Sequence, residues 1–249
     1  MKKIRKVLLA VCLLVFCSSG LLLGVIFLSD GGDLKDFCTE YSTEEMKNPI
    51  DFEKLQRINP DIYAWIRVPG TPIDYPVVSV QGKEKEDYYL NHNFRKAYEF
   101  AGTIYSQKEN ARDFSDPVTV LYGHNMINGS MFAGLKKFAD RQFFENHDTV
   151  YIFTPEERLT YRIISYYESD NRNILQHYGF FQKEKQIREY QRVIAEPGNG
   201  HVRQGISLST GEKILTLSTC SSVSARRRLL QSVLSGQKEW EDTAHESTK

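Results

Sequence analysis

The chain has 249 residues, in which 32 Lys and Arg are balanced by 32 Asp and Glu. Zero net charge excludes a nucleic-acid polyanion as the main partner, because such partners leave a strong basic excess on their binders. A composition of 41% hydrophobic and 12% aromatic residues excludes a disordered chain, and four Cys exclude a disulfide-dense scaffold.

Residues 7–28 (VLLAVCLLVFCSSGLLLGVIFL) carry no charge. At about 1.5 Å rise per residue, a helix of this length spans roughly a 30 Å hydrocarbon core. Lys2, Lys3, Arg5 and Lys6 precede it and predict a cytoplasmic tail over residues 1–6. The expectation is a transmembrane anchor over 7–28, a location at the cell membrane with a single pass, and an extracellular domain. A cleaved signal peptide fits less well, since the apolar run exceeds the usual length of about 7–15 residues and no A-x-A site follows.

Residues 29–50 are polar, contain Gly-Gly and read as a stalk. The folded domain is expected over 51–236, followed by a polar tail over 237–249. Within the domain, DFEKLQRI reads as a helix ended by Asn59-Pro60, and DIYAWI as a second short turn. From Arg67 the pattern becomes β. TPIDYPVV, AGTIYS and PVTVLYGH are strand candidates, and 149–154 with 159–166 alternate like a hairpin. Residues 131–139 and 181–195 carry apolar residues at helical spacing. KILTLSTC (213–220) is a buried strand ending on Cys220, and RLLQSVL (228–234) is the last strand. The sum is a mainly β domain with peripheral helices, a closed or partly closed barrel.

Cys12 and Cys17 lie in the apolar segment, Cys38 lies in the stalk, and Cys220 is the lone Cys of the folded domain. Such a residue is a buried structural side chain, a site of intermolecular pairing, or a reactive thiol. His124 follows one strand, Cys220 ends another, and Arg226, Arg227 and Arg228 precede the next. A thiol nucleophile, a proton carrier and an oxyanion donor are the three parts that acyl transfer needs. Taken singly, a turn histidine and a solvated basic cluster explain the same residues.

TLSTC (216–220), YGHN (122–125) and an Arg before an apolar strand together resemble the sortases, cysteine transpeptidases of Gram-positive cell surfaces. The resemblance runs from about Asp51 to Leu234. NPDIYAWIRVPGTPIDYPVV, DYYLNHNF, AGTIY and the helix over 181–195 are similar to class B members. It implies a sortase-like closed β-barrel of about eight strands, with N-terminal helices and a long helix inserted before the last strands. By the same resemblance Cys220 is the nucleophile, His124 the catalytic histidine and Arg228 the oxyanion donor, with Arg226 as its alternative. Ser218 and Thr219 would line the peptide groove.

The implied reaction is a peptidase-type acyl transfer. A C-terminal sorting motif is cleaved after Thr through a thioacyl-enzyme, and the Thr carboxyl is joined to an amine. The partners implied are surface proteins or pilins bearing that motif and an amine acceptor, either a peptidoglycan precursor or a pilin Lys. No metal or organic cofactor is implied. Ser221-Ser222-Val223-Ser224 stands where many class B members carry acidic or aromatic residues, so an NPQTN-like substrate motif is not a given. Cell-wall anchoring, pilin polymerisation and hydrolysis by a surface cysteine protease all stay open at this point. Because Cys220 ends a strand and lacks a helix N-terminus to lower its pKa, slow turnover is expected.

Overall fold

The structure, a computed structural model, describes residues 34–39, 47–220 and 226–240. The chain divides into two units, Met1–Thr39 and Glu40–Lys249. The described part of the first carries one 3-10 turn, Leu34–Phe37.

The second unit opens with α1 (Phe52–Ile58). The Asp51 carboxylate accepts from the Lys54 amide at 2.9 Å, which satisfies one of the orphan donors of the first turn. Phe52 and Leu55 form its buried face, and the extended Asn59 stops it before Pro60. The strands among the described residues are β1 (Ile62–Arg67), β2 (Asp74–Val78), β3 (Ile104–Ser106), β4 (Val118–Tyr122), β5 (Thr149–Phe153), β6 (Glu157–Ser169), β7 (His201–Val202), β8 (Ile214–Cys220) and β9 (Arg227–Glu239). The further α-helices among the described residues are α2 (Arg141–Asn146), α3 (Ile174–His177) and α4 (Glu184–Ala195), and a 3-10 helix spans Phe132–Ala139.

The strands run in the order β5-β1-β2-β3-β4-β8-β9-β6, and β5 pairs with β6 again. Eight strands therefore close on themselves, which leaves no free edge, and β7 adds outside to β6. The expected eight-stranded barrel is the observed one. Two pairs, β2–β3 and β4–β8, are parallel. The interior is filled by Ala64, Ile66, Val77, Ile104, Leu121, Ile152, Ile163, Leu215, Leu217 and Leu230 among others.

Three expectations are corrected. DIYAWI makes a strand rather than a helical turn, because β1 is paired on both sides, by β2 and β5, and every residue from Ile62 to Ile66 is buried. Over so few residues an apolar run has no period to read, and the tertiary pairing decides. The last strand is longer than 228–234 and runs to Glu239, held along its length by β6. The third correction concerns the membrane. No helix among the described residues is long and apolar enough to cross a membrane, the longest being the 12-residue α4. Residues 7–28, which carried the expectation of an anchor, lie outside the described residues. The expected cell-membrane location is withdrawn on this finding.

Candidate active site

The parallel β4–β8 pair sets the site. Its register runs from Val118 opposite Ile214 to Tyr122 opposite Ser218. The Gly123 amide continues the ladder by donating to the Ser218 carbonyl at 3.2 Å. His124 and Cys220 each lie two residues past that last pair, so they leave the same end of neighbouring strands. Adjacent strands are about 4.8 Å apart, close enough for both side chains to reach one substrate atom. Gly123 is required here. A Cβ on it would lie 2.4 Å from Ile104 Cδ1 and 2.8 Å from the Phe132 ring. Gly123→Ala is expected to cost about 1–3 kcal/mol by overpacking, and to lower turnover as His124 shifts; thermal unfolding and kcat on one preparation check both.

Strand alternation sorts the faces. Leu215 and Leu217 point into the core, whereas Thr216, Ser218 and Cys220 share the outer face. Tyr190 of α4 meets Thr216 Oγ1 at 2.8 Å, and Gln231 joins them by donating to Tyr190 Oη at 3.0 Å and accepting from Thr216 Oγ1 at 2.7 Å. This buried network pins α4 against the strand that carries the thiol. Cys220 is the one exposed residue of β8, and its preceding six residues are buried. Of the readings open for a lone Cys, the buried structural one is excluded.

The β8–β9 register places Arg227 directly opposite Cys220, and Arg228 opposite Thr219. Cross-strand partners project from the same face, so Arg227 accompanies the thiol and Arg228 does not. The Arg227 guanidinium lies 5.6 Å from the Tyr122 ring centroid, a cation–π distance, and Tyr122 stacks on Tyr105 at 5.5 Å. Burial pushes the Tyr105 phenol up to about 12, with the Arg227 charge opposing that rise and the charge of Cys220 among the smaller contributions. Arg227 Nε is buried and donates to no group of the described residues. Arg228 instead pairs with Glu168 at 3.5 Å. Arg226 is exposed and donates to the Glu168 carbonyl at 3.3 Å. By this register Arg227 is the guanidinium on the thiol face, while the expected Arg228 lies on the other face and Arg226 just precedes the strand.

His124 Nε2 lies 2.7 Å from the Leu90 carbonyl oxygen, and its ring stacks on Phe100 at 5.5 Å. A carbonyl only accepts, so Nε2 carries the proton and Nδ1 is the nitrogen left for proton exchange. Ser218 and Thr219 are 0% and 1% exposed, and their buried hydroxyls have no partner among the described residues. They offer a peptide no surface, so the expected groove role finds no geometry here. Two features were missed from the sequence. The position of Arg227 opposite Cys220 follows only from the β8–β9 register. The Leu90 carbonyl leaves no side-chain signature to find.

Residues 66–233 match the sortase domain family. Sortase B of Listeria monocytogenes is 32% identical over 200 residues, covering 76% of this chain and 73% of the relative. Sortase B of Staphylococcus aureus is 29% identical over 170 residues, covering 68% and 67%. Among solved structures, Clostridium perfringens sortase B superposes with a TM-score of 0.67 at 34% identity, covering 75% of this chain and 100% of that one. Sortase B from B. anthracis in complex with AAEK1 gives 0.66 at 28% identity, covering 80% and 91%.

Proposed function

The chain belongs to the sortase family as a class B cysteine transpeptidase acting on surface proteins, and we propose on that basis that Cys220, His124 and Arg227 are its catalytic group. The observation that carries the assignment is the register of three adjacent strands, in which a thiol, an imidazole and a guanidinium stand at one end of the barrel.

The Cys220 thiolate attacks the Thr carbonyl carbon of a sorting motif, and a C–S bond forms. The negative charge that develops on the carbonyl oxygen is met by the Arg227 guanidinium, which stands opposite Cys220 on the neighbouring strand. Collapse breaks the C–N bond. His124, protonated on both nitrogens, gives its Nδ1 proton to the departing amine while Nε2 stays bonded to Leu90. An incoming amine then attacks the thioester carbon, neutral Nδ1 takes its proton, and the thiolate leaves as the new amide forms. The acceptor is an amine of the cell wall or of a pilin subunit. Ser221-Ser222-Val223-Ser224 beside the nucleophile favours a motif other than the NPQTN type.

The test is a panel of fluorogenic sorting peptides with and without hydroxylamine, alongside Cys220→Ala. Cleavage that rises with the amine, releases a hydroxamate and vanishes in the variant is expected. Cleavage to the free acid at a rate indifferent to amine would instead mark a hydrolase.

A further inference from the structure

We propose that Asp61, Tyr89 and Asn59 are positioning residues for the acid–base step: they strap the segment 87–103 to the barrel so that the Leu90 carbonyl fixes the tautomer and the ring orientation of His124. The proposal rests on the reading of His124 given above.

The segment that supplies this carbonyl has little holding it by hydrophobic burial. It leaves the 3-10 turn Tyr88–Leu90, passes through Tyr98 and Phe100, which are 73% and 68% exposed, and returns at Thr103 before β3. Such segments are ordinarily the mobile part of a fold. A neutral imidazole held by a mobile carbonyl would exchange tautomers and swing, and where Nδ1 already carried the proton it could not take one from the incoming amine.

The exception is Tyr89, the neighbour of Leu90, which is 0% exposed. Its hydroxyl donates to Asp61 Oδ2 at 2.7 Å and accepts from Asn59 Nδ2 at 2.8 Å. Asn59 Nδ2 also donates to the Phe94 carbonyl at 2.9 Å, and Lys96 Nζ pairs with Asp61 at 2.9 Å, so the strap grips the segment at three points. Burial raises the Asp61 carboxyl, but the hydrogen bonds from Tyr89 and Lys96 and the Lys96 charge outweigh it and hold the group below its ordinary value. It is therefore a standing anion for Tyr89 to donate to. On the return side, the Thr103 amide donates to the Tyr89 carbonyl at 2.9 Å. Gly102 sits at φ +61, where a Cβ would lie 2.4 Å from the Tyr89 carbonyl and 2.5 Å from that of Leu90. The backbone at Leu90 is thus clasped from both sides, by a buried hydroxyl network and by a glycine contact. In this site a backbone oxygen orients the imidazole where the Ser-His-Asp arrangement uses a carboxylate.

Tyr89→Phe removes one hydroxyl and keeps the ring that fills the space. In this variant kcat is expected to fall about tenfold with KM unchanged, the scale of loss expected when a catalytic group is displaced without losing substrate contacts. The nitrogen-15 shifts of the His124 ring, assigned by difference from His124→Gln, are expected to move from the Nε2–H form towards a mixture. Where Tyr89→Phe does not fold, Lys96→Met loosens the same strap from its half-exposed end. A Tyr89→Phe protein that melts earlier yet keeps its kcat and its Nε2–H signature would show that the network is structural only and would overturn the proposal. If His124→Ala retains transpeptidation, the reading of His124 itself has failed, and the strap falls with it.

Discussion

Arg227→Ala is expected to lower kcat by a factor of about 10²–10³, the loss seen when one oxyanion donor is removed from an acyl-transfer site. Arg228→Ala is expected to lower it by less than about tenfold, since a partly exposed ion pair contributes roughly 0–1 kcal/mol. The two residues are adjacent and share charge, length and strand, so the comparison isolates geometry. Arg227 is opposite Cys220 and its Nε has no acceptor among the described residues, whereas Arg228 is opposite Thr219 and engages Glu168. Arg227→Lys should recover little, because a point charge on a flexible stem does not reproduce the planar fork of donors. Single-turnover acylation, followed as thioester formation on Cys220, reads the step directly. Equal losses in the two alanine variants would remove the basis for choosing Arg227.

Trp65→Ala is expected to destabilise the domain by about 3–5 kcal/mol, the range for deleting a large buried aromatic. Trp65 is 0% exposed and faces Pro76 of β2 on one side and Phe153 of β5 on the other. Its indole N–H donates to Asp74 Oδ1 at 2.5 Å, and Arg67 reaches the same carboxylate at 3.1 Å. Truncation opens a cavity at the strand that joins β5 to β2 and takes a donor from Asp74. Set against a total stability of about 5–15 kcal/mol, that is enough to place a large fraction of the domain's margin at risk. Urea unfolding should show a lower midpoint with an unchanged slope. Kinetic constants for the folded fraction should stay close to those of the parent, since β1 contributes no group to the site.

The fold was legible where the chain alternates or runs apolar between turn residues: β4, the β5–β6 hairpin and β8 lie where expected. It was illegible at β1, where a short apolar stretch is strand or helix according to its neighbours alone. Cys220 and His124 stand in short sequence motifs, TLSTC and YGHN, that can be read without the fold. The place of Arg227 could not be read the same way, because which of three adjacent arginines shares a face with the thiol depends on the β8–β9 register, and a shift of one residue inverts every side chain. The orienting contact on His124 was out of reach altogether, being a main-chain oxygen brought in by a segment thirty-four positions upstream.

The parallel pairing of β4 with β8 carries a consequence for when the enzyme becomes active. Val118 and Ile214 are separated in the chain by β5, β6, β7 and α4, and Arg227 belongs to the last strand of the described residues. Such long-range pairings are late and slow to form, because the entropy of closing the intervening loop is lost before any contact returns it. A nascent or partly unfolded chain is therefore expected to hold its thiol apart from the proposed imidazole and guanidinium, and to form no thioester. On refolding, transpeptidation should recover with the final phase of tryptophan fluorescence and never ahead of it, so that completion of the fold acts as its own safety catch.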